Sequence, residues 1–335
     1  MGDETEVRTL SPDDRNLGME LVRVTEAAAL AAARWMGRGD KVAADKAAVD
    51  AMRLMISTCT MDGIILIGEG EKDDAPMLYN GEQVGSGDGP MVDVAVDPVE
   101  GTTITSRGMP GGISVISVAS RGAMFDPGPC YYMDKVATGP EAADSIDLAA
   151  PVAYNINAVA KGKGIHVDDV TVIIMDKPRH EGLIKEVREA GARIRLITDG
   201  DVAAGISAAK SGTGVDLLLG TGGTPEGVIT AAALKALGGN IMGRLNPQSD
   251  DERKAVLDAG YDLDQIITQD ELVQGDCFFA ATGITGGDLL EAVRYHKDGA
   301  NTHSIVMRSR TGTVRHIYAD HDWRKLMKFS TIHYD

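Results

Sequence analysis

Between residues 166 and 238 the chain alternates apolar strand-like runs with helix-forming runs, and few architectures accommodate that pattern. "VTVIIMDKPRH", "ARIRLITDGDV" and "VDLLLGTGGTPEG" are short, apolar and rich in branched side chains, and each ends in a polar or glycine-containing cluster. "EGLIKEVREAG", "AAGISAAKSG" and "VITAAALKALGG" follow them with helical periodicity. This alternation predicts a mostly parallel α/β sheet with helices on its faces, in which ligands gather at the carboxyl ends of the strands.

The first half is of mixed α+β type. "LGMELVRVTEAAALAAARWMG" and "VAADKAAVDAMRLMISTC" read as helices. "GIILIGEGEKDDAPM" and "VDVAVDPVEGTT" read as strands running into acids, with "GISVISVAS" and "CYYMDKVATG" as expected sheet neighbours. "FFAATGITGGDLL", "HSIVMRS" and "TGTVRHI" supply late strands. The expected organisation is a disordered terminus over 1–16, an α+β domain over 17–165 and an α/β domain over 166–335, with the late strands packing back on the first.

Acids collect where strands end. Glu69 follows "ILIG", Asp97 and Glu100 follow "VAV", Asp199 and Asp201 follow "RLIT", and Glu226 opens a helix after "LLLGTGGTP". Lys177, Arg179 and His180 follow "VIIM". Two carboxylates about 5 Å apart repel by roughly 3 kcal/mol at an effective dielectric near 20, so such pairs call for a cation or full solvation. "DPVEG" alone fits a turn equally well, since Asp-Pro initiates turns. Taken together, the set is the inventory of a metal-dependent phosphate enzyme. Hard divalent cations take carboxylate and phosphate oxygens, and basic side chains grip a second anionic group. The glycines of "GTGGTPEG" fit either a phosphate approach at a helix terminus or a tight turn.

Charge narrows the classes further. With 33 basic against 50 acidic residues the formal charge is −17, and no basic cluster offers a nucleic-acid surface. The N-terminus is polar and acidic and no apolar run approaches membrane-spanning length, so no membrane partner and a cytoplasmic protein are expected. Cys59, Cys130 and Cys277 show no metal or disulfide spacing and are expected to be buried apolar residues. "HDWRKLMK" fits an amphipathic helix closing the fold or an oligomer contact, and a homo-oligomer (dimer or tetramer) is expected.

"IGEGEKDDAPMLYNGE", "DPVEGT", "MDKPRH", "DGDVAA", "GGTPEG" and "ATGIT", in that order, resemble the class II fructose-1,6-bisphosphatase family. "DPVEGT" alone is similar to a motif of the wider lithium-sensitive phosphatase superfamily, which implies some inhibition by lithium. The resemblance runs from about residue 17 to the end and implies a layered αβαβα sugar-phosphatase fold. It implies that Asp45, Glu69, Asp97, Glu100 and Glu226 ligate Mg²⁺ or Mn²⁺, two or three ions per site. It further implies that Thr102 activates the attacking water together with Asp45. Lys41, Asp73, Tyr132, Lys177, Arg179, Asp199 and Asp201 would line the sugar-phosphate pocket, with Glu100, Gly101, Thr102 and Glu226 beside them. The implied reaction is gluconeogenic: hydrolysis of the 1-phosphate of fructose 1,6-bisphosphate. The alternatives are dual action on sedoheptulose 1,7-bisphosphate, an inositol-phosphate phosphatase, and an inactive sugar-phosphate-binding regulator. One departure stands out: family members usually carry an Asn-small pair where this chain has Gly111 and Gly112.

Overall fold

The computed structural model describes residues 17–70 and 77–326, so the expected disordered terminus and Asp73 lie outside the described residues. The strands are β1 (Asp62–Ile67), β2 (Gln83–Val84), β3 (Met91–Glu100), β4 (Ile113–Ser120), β5 (Tyr132–Thr138), β6 (Thr171–Met175) and β7 (Arg193–Ile197). They continue with β8 (Leu217–Gly223), β9 (Asn240–Leu245), β10 (Cys277–Gly283), β11 (Arg294–His296), β12 (Gly299–Arg308) and β13 (Thr313–Asp322). The helices that shape the layers are α1 (Leu17–Ala32), α2 (Lys41–Ile56), α3 (Thr102–Ser106), α4 (Val152–Lys163), α5 (Glu181–Glu189), α6 (Asp201–Ala209) and α7 (Thr224–Leu237).

One sheet runs β11-β12-β10-β4-β3-β1-β2, with β13 paired along β12; the other runs β7-β6-β8-β5-β9. Side-chain alternation stacks them into layers. On β3, Val92, Val94 and Val96 join Leu21, Ala28, Met52 and Ile56 of α1 and α2 in one core. Ala95 points the other way, into a central core shared with Val202 and Ile206 of α6, Val228 and Leu234 of α7, and Met133, Ile173 and Leu218 of the second sheet. The opposite face of the second sheet carries Val136, Val172 and Leu219 against Ile156 of α4 and Ile184 of α5. The order of layers is therefore helix, sheet, helix, sheet, helix. That is the expected αβαβα arrangement.

Two expectations are corrected. "CYYMDKVATG" does not neighbour β3 or β4: β5 pairs antiparallel with β8 and β9. Both faces of β5 find apolar partners there, Val136 in the outer core and Met133 with Ala137 in the central one. The second sheet is also less parallel than its alternation suggests. β6 pairs in parallel with β7 and β8, while β5 reverses the direction on both of its edges. All three cysteines are free and buried, as expected. No helix among the described residues is long and apolar enough to cross a membrane.

Candidate active site

The stretch "DPVE" folds as it does because β3 carries one extra residue. Asp97 lies opposite Val115 of β4 and Glu100 opposite Ile113, three steps on one strand against two on its neighbour. In a regular strand residues three apart face opposite sides. The bulge turns Asp97 and Glu100 toward one side, where they feel each other's charge. Asp97 Oδ1 accepts from the Val99 amide at 3.0 Å, and the chain then passes Gly101 into α3.

The loops of the second sheet close against this turn. The Val202 amide donates to Glu100 Oε1 at 3.1 Å, and the Thr103 amide donates to Asp199 Oδ2 at 3.2 Å. These reciprocal amide–carboxylate bonds join the end of β3 to the β7–α6 loop. Asp201 begins α6, and Glu226 lies in the first turn of α7. Asp45, on α2, hydrogen-bonds Glu69 at the end of β1. Lys41, at the start of the same helix, donates from Nζ to Thr103 Oγ1 at 2.9 Å.

The electrostatics are those of an acid cluster short of positive charge. Burial, then the charge and hydrogen bond of Asp45, push Glu69 up to about 7. Burial, then the charges of Asp199, Asp201 and Glu226, push Glu100 up to about 8 against a lowering bond from Val202. Asp97 is raised well above the ordinary carboxylate range by burial and by Glu100, Glu226, Glu69 and Asp45. Glu226 is raised by burial, with Lys135 opposing. Glu100 Oε2 and Glu226 Oε2 are buried without a hydrogen-bond partner. Asp93, on the same strand, shows what a structural carboxylate looks like: its Oδ2 accepts from the amides of Gly122, Ala123 and Met124 at 2.7, 3.0 and 3.3 Å. Orphaned hard oxygens in a repelling cluster fit a divalent cation. Among the described residues no three acidic, His or Cys side chains are already gathered closely enough to hold an ion, so closing the set requires side-chain movement.

The expected residues divide by how the structure places them. Asp45, Glu69, Asp97, Glu100, Glu226, Asp199 and Asp201 come together through the contacts and charge couplings above. Tyr132 and Arg179 form a second group: the guanidinium lies over the ring at 5.1 Å and donates to Thr221 O from Nε and Nη2 at 3.2 and 3.0 Å. Tyr132 stands opposite Gly223, three residues before Glu226, which links the two groups. Lys177 is half-buried just after β6. Thr102 Oγ1 donates to Val99 O at 3.0 Å, while the bonded partner of Asp45 is Glu69.

His180 follows Arg179 just before α5. It is buried, with Nδ1 2.7 Å from Met175 O and Nε2 accepting from the Thr221 amide at 2.8 Å, so its ring is committed to the fold. The glycines of "GTGGTPEG" make room for acids. A Cβ at Gly222 would overlap the Asp201 carboxylate, and one at Gly223 would overlap that of Glu226. The Gly111–Gly112 departure also has a steric reason. Gly111 has φ +112°, and a Cβ at Gly112 would overlap Thr105 Oγ1. Lys135, which the sequence reading missed, is buried and ion-paired with Asp201. Its only signal is one lysine in the otherwise sheet-like "YYMDKVAT".

A pH dependence follows from the raised carboxyls. A folded-state value above the ordinary 4.5 means that the folded chain holds protons the unfolded chain has released. The stabilisation is present below that ordinary value and is lost as pH rises through about 7 for Glu69 and about 8 for Glu100. Metal-free protein is therefore expected to melt at progressively lower temperature as pH rises from about 5 to 8, with Mg²⁺ or Mn²⁺ flattening the trend. Glu26, also pushed up to about 7 but bonded to Thr302 in the α1–β12 contact, supplies a metal-independent share of the slope. Glu26→Gln removes that share. Calorimetric melting across pH, with and without metal, checks both, and a cation-insensitive slope in Glu26→Gln would contradict the cluster's part in it.

A layered α/β fold with acids at its strand ends is sugar-phosphatase-like. Residues 15–321 match the profile of the family described as bacterial fructose-1,6-bisphosphatase, glpX-encoded. A protein of Synechococcus sp. strain JA-3-3Ab, named D-fructose 1,6-bisphosphatase class 2/sedoheptulose 1,7-bisphosphatase, is 42% identical over 334 residues, covering 92% of this chain and 96% of its own. The Escherichia coli K12 protein named fructose-1,6-bisphosphatase 1 class 2 is 42% identical over 321 residues, covering 92% and 95%. The chain belongs to the class II fructose-1,6-bisphosphatase family.

Proposed function

We propose that this protein hydrolyses the 1-phosphate of fructose 1,6-bisphosphate to fructose 6-phosphate and phosphate, as a metal-dependent, gluconeogenic, homo-oligomeric enzyme. The observation that carries the reading is the pair of unpartnered buried oxygens, Glu100 Oε2 and Glu226 Oε2, inside an acid cluster at the strand ends. Asp45, Glu69, Asp97, Glu100 and Glu226 would hold Mg²⁺ or Mn²⁺. Such ions, when bound, supply charge stabilisation for phosphate-monoester hydrolysis, whose uncatalysed rate can lie about 10²¹-fold below the enzymatic one.

The chain's own residues do the rest. With its proton committed to Val99 O, the Thr102 hydroxyl presents lone pairs that orient the attacking water. Asp45 takes the proton released by the water. Asp199 and Asp201 accept sugar hydroxyls, and Lys41 closes the α2 side of the pocket. Arg179, Lys177 and Tyr132 hold the phosphate that does not react.

Arg179→Ala or Lys177→Ala is expected to raise KM for the bisphosphate by about tenfold or more, with a smaller loss of kcat from poorer positioning. Steady-state kinetics on fructose 1,6-bisphosphate check it; wild-type KM in both variants removes them from the pocket. Substrate choice is tested by a turnover panel of fructose 1,6-bisphosphate, sedoheptulose 1,7-bisphosphate and inositol 1-phosphate. The Synechococcus relative, named for both bisphosphates, makes activity on the first two the expected result. Preference for inositol 1-phosphate would overturn the assignment. Chelation is expected to abolish turnover and added Mg²⁺ or Mn²⁺ to restore it.

A further inference from the structure

Lys135 sits in the middle of β5, opposite Gly220 of β8 and Gly243 of β9, with its side chain 2% exposed. A lysine so deep must be paired. Its ammonium contacts the Asp201 carboxylate and donates to Gly223 O at 2.8 Å. The space it occupies is cut from two glycines. A Cβ at Gly222 would come within 3.0 Å of Lys135 Nζ, and one at Gly227 within 3.4 Å of Cδ. Among the described residues it is the cation ion-paired to a carboxylate of the cluster. Glu100 and Asp199 have, among the described residues, backbone amides as their bonded partners.

A bisphosphate brings several negative charges to this wall. Resting on the function proposed above, we infer that Lys135 is the positioning residue for Asp201: it fixes the carboxylate's orientation and neutralises it, so that Asp201 receives a sugar hydroxyl without repelling the substrate's phosphates. Asp201 takes its cation from β5, apart from the carboxylates that would hold metal. Lys135 is too deeply buried to touch substrate directly, so its effect on the sugar passes through its bonded partner, Asp201.

The test is a double-mutant cycle in the full chain: wild type, Lys135→Met, Asp201→Asn and the double variant. At saturating Mg²⁺, Lys135→Met is expected to raise KM for fructose 1,6-bisphosphate by about tenfold or more, with a smaller change in kcat. In the Asp201→Asn background, where the carboxylate bonded to Lys135 is gone and Mg²⁺ would neutralise Glu226, the same substitution is expected to change KM by less than about twofold. Fructose 6-phosphate binding by calorimetry should follow the same pattern. Equal effects of Lys135→Met in both backgrounds, or none in wild type, would overturn the inference. Should Lys135→Met fail to fold because it strands a buried carboxylate, Lys135→Arg, which keeps the charge but shifts its position, takes its place in both backgrounds. A raised KM in the Asp201 background that vanishes in the Asp201→Asn background supports the inference, and equal effects or none contradict it. If wild type turns over none of the panel substrates, the proposed function fails on its own, whereas the calorimetric cycle judges Lys135 separately.

Discussion

Asp97→Asn is expected to lower turnover by about 10²- to 10³-fold while raising the melting temperature of the metal-free protein. The first effect is the scale reached when a group stabilising developing charge is lost. The second follows from the cluster itself. Asp97 is buried against four other carboxylates, so removing its charge relieves repulsion. The amide isostere is chosen because Asp97 Oδ1 also accepts from the Val99 amide, and asparagine's oxygen keeps that bond and hence the bulge. Opposite signs on activity and metal-free stability mark a functional site rather than a structural acid. Asp93→Asn should do the reverse, destabilising the β3–β4 edge where its carboxylate gathers three amides. Paired calorimetric melts and phosphate-release assays check both. A metal-free Asp97→Asn protein that melts below wild type would contradict the repulsion account.

Thr102→Ala is expected to lose about 10²- to 10⁴-fold in kcat while metal and fructose 6-phosphate titrations stay near wild type. The hydroxyl's single proton goes to Val99 O, so its loss also removes one bond from the turn, a cost of about 1 kcal/mol that stability measurements resolve separately. Thr102→Ser keeps the hydroxyl and is expected to retain measurable turnover, reduced because the lost methyl no longer restricts χ1. A Thr102→Ala protein with near-normal kcat would leave the water's orienting group unassigned.

What the sequence revealed and what it concealed have separable physical causes. The α/β alternation of 166–238 was legible because its strands are short, rich in branched apolar residues and punctuated by glycine or proline. The partner of β5 was not legible. A strand buried on both sides carries no mark of which sheet it joins, and pairing followed the apolar neighbours on β8 and β9. Strand β9, whose "NIMGRL" has a glycine at its centre, gave too weak a pattern to read at all. Acids at the ends of apolar strands were legible as a set. Asp45 had no local signal, because a carboxylate on a helix usually faces water, and only the family resemblance pointed to it. The bulge that turns Glu100 to the side of Asp97 is a three-against-two register that exists only once β4 is in place. Lys135 was hidden for a related reason: its meaning depends on Asp201, 66 residues away in sequence.

The unpartnered oxygens of Glu100 and Glu226 would complete a divalent-cation site at these strand ends. Crystals soaked in Mn²⁺ and measured at a wavelength with anomalous signal test it most directly. Anomalous peaks are expected at about 2.0–2.3 Å from carboxylate oxygens of Asp97, Glu100 and Glu226, shared with Asp45 or Glu69. A cluster that stays without a peak while the same soaked protein hydrolyses fructose 1,6-bisphosphate would contradict it.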